Sequence, residues 1–382
     1  MTARIARFEL LDYLRFSAAL LVVAFHWFFN GIENGKVTSI DQTSISGFAV
    51  YGEFGVHLFF IISGFVISRS ADDRTAARFA VGRAIRLYPA FWAGLIATTL
   101  VVTLWGREAM QVTVAQFIAN LTMASTVFRQ PFIDGVYWTL LYELSFYLLI
   151  FFFLLAKQGR RLDRFYPLWA IGMLVVGLVA PSIGGLPYLG GFYAFFAGGA
   201  ILASIQKRGL SPLRAIGLAA SISTAIVFVH RNNLLFNQTS SSDRIVGIPE
   251  SITATLFVLV GLMLIPAVAA WRLPFSKPLS DLTYPIYLIH AHIGYVVLNQ
   301  LATPANQVLV YFLMFIGLIA AATLLHRTIE VQLKTVWFVL FDGLIGRPLR
   351  WIGQLDASQS RSKPQKKKDA GTGVGTDQKG SH

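Results

Sequence analysis

The 382-residue chain contains no cysteine. That excludes a disulfide framework, a thiolate metal site and a cysteine nucleophile. Charge is almost as scarce: charged residues make up 13% of the chain, against about 25% in soluble domains. Hydrophobic residues make up 55%, including 31 phenylalanines, so the chain reads as an all-α, polytopic integral membrane protein. Acidic residues are the rarer sign, 19 against 32 Lys and Arg, for a net charge of +13. In a soluble protein that excess would point to nucleic acid. Here the cations fall mainly in alternate loops and the tail, which is the topology signal of a membrane protein, and no nucleic acid is expected. An internal repeat is also absent.

What is present is a series of about ten apolar stretches, near 11–30, 53–69, 85–105, 137–156, 166–182, 188–205, 212–230, 250–270, 280–300 and 306–326. The first is long and lacks a small-residue cleavage site, so it is expected to be retained as a span. One set of connections holds Arg4, Arg7, five arginines between Arg69 and Arg86, the cluster Lys157 to Arg164, Lys207, Arg208, Arg272 and Lys277. The alternate set holds few cations. The positive-inside rule then places both termini in the cytoplasm of a multi-pass protein of the inner or plasma membrane. Residues 1–330 are expected to form the transmembrane domain and 331–355 a cytoplasmic interfacial helix. Residues 356–382 read as a disordered basic tail. Residues 107–136 form a longer loop that either lies in the interface or folds back as a lid.

Ionisable residues inside apolar helices are costly and usually functional. The first stretch, LLDYLRFSAALLVVAFHWFFN, carries Arg15 and His26, eleven positions apart. Eleven residues amount to about three turns and roughly 16 Å, so both lie on one face near opposite sides of the membrane. A snorkelling arginine and a headgroup-level histidine are one reading, and a chemically active tunnel the other. RAIRLYPAFW places Arg83 and Arg86 on one helix face, either as positive-inside flanks or as a phosphate clamp. VYWTLLYELSFYLLIF places Glu143 about 9 Å below Tyr137, close to the depth of His26, with Tyr147 and Thr139 on its face and Trp138 at the segment entry. A His26–Glu143 partnership is expected from that depth. In GVHLFFIISGFVIS, Ser63 and Gly64 mark a packing notch or a tunnel wall, with His57 near the outer end. In PLSDLTYPIYLIHAHIG, Tyr284, Tyr287 and His290 run down one side approximately, and Pro285 sets a kink. His290 and His292 are about 200° apart on a helix, so no metal site is expected.

These fragments, taken in order, resemble the membrane-bound acyltransferase type 3 family over about residues 5–330: FELLDYLRFSAALLVVAFHW, LFFIISGFVIS, RAIRLYPAFW, VYWTLLYELSFYLL and SDLTYPIYLIHAHI. Members acylate sugars of lipopolysaccharide, exopolysaccharide, Nod factors and some antibiotics. The resemblance implies that His26 and Glu143 are catalytic and that Arg83 and Arg86, with Arg15 beside them, handle the donor. Ser63, Gly64, Trp138, Tyr147, Tyr284, Tyr287 and His290 would line or support the tunnel.

The function so implied is transfer of an acyl group, acetyl first among the choices, from cytoplasmic acyl-CoA to a hydroxyl of a carbohydrate or glycolipid acceptor. Acyl-CoA is a co-substrate, and no tightly bound cofactor is expected. His26 would act as general base with Glu143 orienting it; an acyl-histidine is a second route and Ser63 a weaker covalent relay. The competing readings are a proton-coupled transporter of a sugar or anion and a non-catalytic sensor. Many carriers show paired broken repeats, which this chain lacks.

Overall fold

The computed structural model describes residues 8–351, apart from residues 43, 72, 73, 107, 241 and 242. Arg4, Arg7 and the 356–382 tail lie outside the described residues. Among the described residues every regular element is helical. The chain is a polytopic helical membrane protein, and each apolar stretch read from the sequence falls on helix.

The main helices are α1 (Glu9–Glu33), α2 (Ser46–Ala71) and α3 (Ala76–Trp105). A short α4 (Val114–Asn120) precedes α5 (Trp138–Leu155) and α6 (Gly159–Val179). Then come α7 (Tyr193–Arg208), α8 (Pro212–Thr239) and α9 (Ile248–Leu264). The last set is α10 (Ser276–Ile289), α11 (Ala291–Leu301), α12 (Gln307–Gln332) and α13 (Lys334–Phe341). Seven of these are long and apolar enough to cross a membrane, against about ten spans expected. The three remaining stretches are helical but short or broken: α7 has 16 residues, α9 stops at Leu264, and α10 and α11 are separate pieces meeting at His290.

Local chemistry sets several ends. Thr75 caps α3 by accepting the Arg78 N–H, and Ser211 caps α8 with Pro212 at its first position. Thr113 and Gln116 form a capping box for α4. The segment after α4 folds back onto the bundle. The Asn120 amide donates to the Pro131 carbonyl and accepts the Ile133 N–H, which buries Ile133, Asp134 and Val136.

Helices α2 and α7 form the centre, and α7 is buried from Tyr193 through Ile205. Their contact is backbone against backbone. A Cβ on Gly199 would lie 1.9 Å from the Ile61 carbonyl oxygen, and one on Gly64 would lie 2.1 Å from that of Phe196. Small residues that let two membrane helices touch are the usual device where no hydrophobic effect drives association. Of the two roles open for Gly64, the structure has the packing notch: it faces α7. At the periphery, α12 turns Leu309, Phe312 and Leu313 outward. Helix α13 packs on α3 through Trp337, Phe341 and Trp92, while Trp351 is exposed.

Two irregularities shape the interior. A π-helical turn, His26–Asn30, interrupts α1. The α10–α11 junction breaks the helix at His290, whose Nδ1–H donates to the Tyr287 carbonyl at 2.8 Å. The Trp27 indole N–H takes up the His290 carbonyl at 2.8 Å.

Candidate active site

The bundle encloses two chambers stacked end to end. The first, of about 480 Å³, opens at the arginine-rich end. Helix α1 brings Arg15 into it, and α3 brings Arg83 and Arg86. Aromatic faces hold two of these guanidiniums in place: Arg83 lies 5.5 Å from the Tyr147 ring centre and Arg86 lies 5.8 Å from that of Tyr284. Arg86 is also 3.8 Å from Glu330. Opposite them, one oxygen of Glu143 accepts hydrogen bonds from the Tyr147 hydroxyl at 2.5 Å and the Ser63 hydroxyl at 3.4 Å. Lys277 and Asp281 pair with each other at the same rim. Among its described lining residues Arg15, Arg83, Arg86 and Lys277 outnumber Glu143 and Asp281, a balance that suits an anionic ligand.

The second chamber, of about 470 Å³, lies beyond the first. Its centre is His26. The His26 Nδ1 is 2.6 Å from the Tyr295 hydroxyl and 3.2 Å from the Asn30 amide nitrogen, so Nε2 is the ring nitrogen left for chemistry. The π turn places Asn30 where it also donates to Tyr295 at 3.0 Å. The His290 ring stands 5.1 Å from that of His26, edge to face. His292 completes the group: its backbone N–H donates to Asp134 at 3.0 Å, and its Nε2 accepts from Lys36 at 2.9 Å. Burial lowers the Lys36 pKa, and the charge of Asp134 opposes that shift. Trp138 and Phe192 supply apolar walls, with ring centres 4.8 Å apart. His57 is buried in an aromatic setting, stacked on Phe54.

The chambers meet at a neck. Val56 and Tyr287 line both. The Tyr287 and Thr139 hydroxyls are 2.7 Å apart, which ties α10 to α5 where the two chambers adjoin. Arg244 closes the far end. It is buried, pairs with Glu53 at 2.7 Å, donates to the Val50 carbonyl at 3.1 Å and lies 3.7 Å from the Phe236 ring centre. The strap that carries it is further held by Ser240 on Glu33 and by Asn237 on the Arg244 backbone.

Most of the residues singled out in the sequence come together here, but one expected contact is not made. His26 and Glu143 lie in different chambers: His26 bonds Tyr295 and Asn30, and Glu143 bonds Tyr147 and Ser63. A depth read from each segment's own ends does not fix how far two helices slide past one another: Glu143 shares the first chamber with Thr139 and Tyr147, and His26 lies beyond Tyr287. Thr139 serves Tyr287 rather than Glu143. Tyr284 donates to the Leu87 carbonyl and holds α10 to α3. Asp134 and Lys36 were not singled out. Asp134 sits in an Asp-Gly pair that reads as an exposed turn, yet it is fully buried. Lys36 reads as one of the few cations of an outer loop. Among the described residues, no three His, Asp or Glu side chains are arranged to hold a metal ion.

Removing the Tyr295 hydroxyl tests the setting of His26. Tyr295→Phe is expected to lower any turnover that uses the imidazole about tenfold, the equivalent of one buried hydrogen bond of about 1–2 kcal/mol. Steady-state kinetics on the two proteins check it.

An all-helical membrane bundle with one cationic and one histidine-lined chamber is the class that the fold and the site define. The chain belongs to the acyltransferase 3 family, whose acyltransferase domain matches residues 8–327. That match covers both chambers and the neck between them. Comparison with curated proteins and with solved structures returned no match.

Proposed function

We propose that this membrane acyltransferase moves an acyl group, acetyl as the simplest case, from acyl-CoA to a hydroxyl of a carbohydrate or glycolipid. The observation that carries the reading is the stacking of two chambers that share Tyr287, one rimmed by guanidiniums and one centred on a histidine. The donor enters from the arginine-rich end, taken as cytoplasmic by the distribution of cations. Arg15, Arg83 and Arg86 hold its phosphates near the mouth, and Glu143 with Tyr147 keeps the guanidiniums apart and oriented. The pantetheine arm passes the Tyr287 neck and brings the thioester to the second chamber. There the acceptor hydroxyl gives its proton to the Nε2 of His26 as its oxygen attacks the thioester carbonyl. The tetrahedral intermediate collapses with loss of the CoA thiolate, which takes the proton back from the imidazolium. Products are the acyl ester and free CoA. Trp138 and Phe192 offer apolar walls for a sugar ring, and Lys36 and Arg244 offer donors for its oxygens. The setting is the inner or plasma membrane.

The test is direct because the protein has no thiol of its own. Purified protein in nanodiscs with acetyl-CoA and an acceptor glycan is expected to release thiol in step with ester formation, as read by a thiol reagent and by glycan mass. Flux of a sugar or anion across sealed vesicles with no thiol release would overturn the reading in favour of transport.

A further inference from the structure

A third cavity is larger than either chamber. It is a basin of about 1060 Å³ at the arginine-rich end, beside the mouth of the first chamber. Helix ends and connections build it: Arg69 ends α2, Arg74 and Arg78 open α3, Lys157 lies between α5 and α6, Arg160 opens α6, and Lys207 and Arg208 end α7. Among its described lining residues Asp163 is the one acid, and that carboxylate is taken by Arg214 at 2.6 Å and Arg208 at 3.3 Å. Asp72 and Asp73 of the adjoining connection still leave cations in excess.

Helix dipoles explain part of this charge. Arg69, Lys207 and Arg208 sit at helix C-termini, where cations are favoured. Arg74 and Arg78 do not fit that account. They sit at the N-terminus of α3, where the dipole repels a cation. Burial and the charges of Arg83 and Arg78 lower the Arg74 pKa further. Arg74 also joins the two cavities. It lines the basin, and its Nη1 reaches to within 3.8 Å of the Cβ position of Gly82, which lines the first chamber beside Arg83. Among the described residues the buried Nε of Arg83 has no hydrogen-bond partner. A ligand lying across that junction would meet one run of guanidiniums from Arg78 through Arg74 to Arg83 and Arg86.

Resting on the acyl-CoA reading, we propose that the basin binds the nucleotide end of the donor. The 3′-phosphate lies against Arg74 and Arg78, and the pyrophosphate lies toward Arg83 and Arg86. The first chamber then receives the pyrophosphate at its mouth and the pantetheine arm, and not the nucleoside. A chamber of about 480 Å³ is modest for a whole nucleotide thioester, whereas the basin is at the upper end of the range for ligand pockets.

The experiment compares acetyl-CoA with acetyl-3′-dephospho-CoA, using the full chain in nanodiscs of neutral phosphatidylcholine. The wild type is expected to show a KM at least about tenfold higher for the dephospho donor, the effect of losing one charge-assisted contact. In Arg74→Gln/Arg78→Gln the KM for acetyl-CoA should rise toward the dephospho value, while the KM for the dephospho donor moves little. Lys207→Gln/Arg208→Gln, at the far wall, should erode the preference less. Equal KM increases for both donors, or a preference that survives in the double variant, would overturn the proposal. So would a loss that appears only with anionic lipid and ignores the 3′-phosphate, which would assign the basin to a lipid headgroup. Binding of adenosine 3′,5′-bisphosphate against AMP, measured by calorimetry, separates the two levels. If the bisphosphate binds selectively but no CoA is released, the acyl-transfer reading fails and the anion site stands. If CoA is released without selectivity, the site fails and the reading stands.

Discussion

His26→Ala is expected to lower acyl transfer by about 10²–10⁴-fold, the range that positioned general-base catalysis contributes. The loss should fall on kcat and leave the donor KM close to wild type. The reason is the separation of the chambers: the guanidiniums proposed to meet the donor are Arg15, Arg83 and Arg86, and none of the hydrogen bonds of His26 reaches them. Stopped and steady-state thiol release, with CoA binding measured alongside, would read the two constants apart. A His26→Ala protein that transfers acyl groups at the normal rate would remove the histidine from the chemistry. One that loses CoA binding instead would place the donor in the wrong chamber. Glu143→Gln should behave in the opposite sense, raising donor KM more than it lowers kcat, because its partners Tyr147 and Ser63 face the arginines and not His26.

The second large effect is on folding. Gly199→Val is expected to leave little folded protein, because the new Cβ would stand 1.9 Å from the Ile61 carbonyl oxygen. Neither side of that contact is the tip of a flexible side chain, so α7 and α2 must part. Overpacking a tight core typically costs about 1–3 kcal/mol and more where backbone must move, and α2–α7 is the most buried pairing in the bundle. Gly64→Val should do the same from the other side, with its Cβ 2.1 Å from the Phe196 carbonyl oxygen. Gly172→Ala is the control. It lies in α6 with nothing within 4 Å of the added Cβ. There alanine should be neutral or stabilising by about 0.5–1 kcal/mol through its helix propensity. Size-exclusion profiles and thermal melts of the purified proteins check all three.

Helices were legible in the sequence because the signal is local: a window of apolar residues needs no knowledge of its neighbours. The two chambers were legible only in part. Arg15 and His26 share one helix, so their separation could be read from helical geometry alone, and the structure puts them in successive chambers as that spacing implies. Glu143 sits on a different helix. The face it shares with Thr139 and Tyr147 could be read, but the height of α5 relative to α1 depends on packing, and the carboxylate lies on the arginine side of Tyr287, beside Ser63. Asp134 and Lys36 escaped for another reason. Both lie in connections, where composition signals a turn or a solvated charge, and only the folding of the 107–136 segment onto the bundle buries the first beside His292. The break at His290 was partly visible as a proline-marked kink. Its site, five residues beyond Pro285, was set by the Trp27 indole and the Tyr287 carbonyl, which no pattern in the segment announces.

The wide turn at His26–Asn30 has a consequence for how the first helix tolerates change. A π turn closes its bonds one residue further along than an α turn, so it acts as a single extra residue spliced into an otherwise regular helix. Substituting a side chain there, such as Phe28 on its Tyr311 neighbour, alters packing and leaves the frame intact. Deleting Phe28 would let the turn close as regular α-helix and leave the helix beyond it nearly where it was. Asn30 would lose the offset that aims it at Tyr295, while Lys36 would stay beside His292. The segment can therefore absorb the loss of one residue that an ordinary helical turn could not.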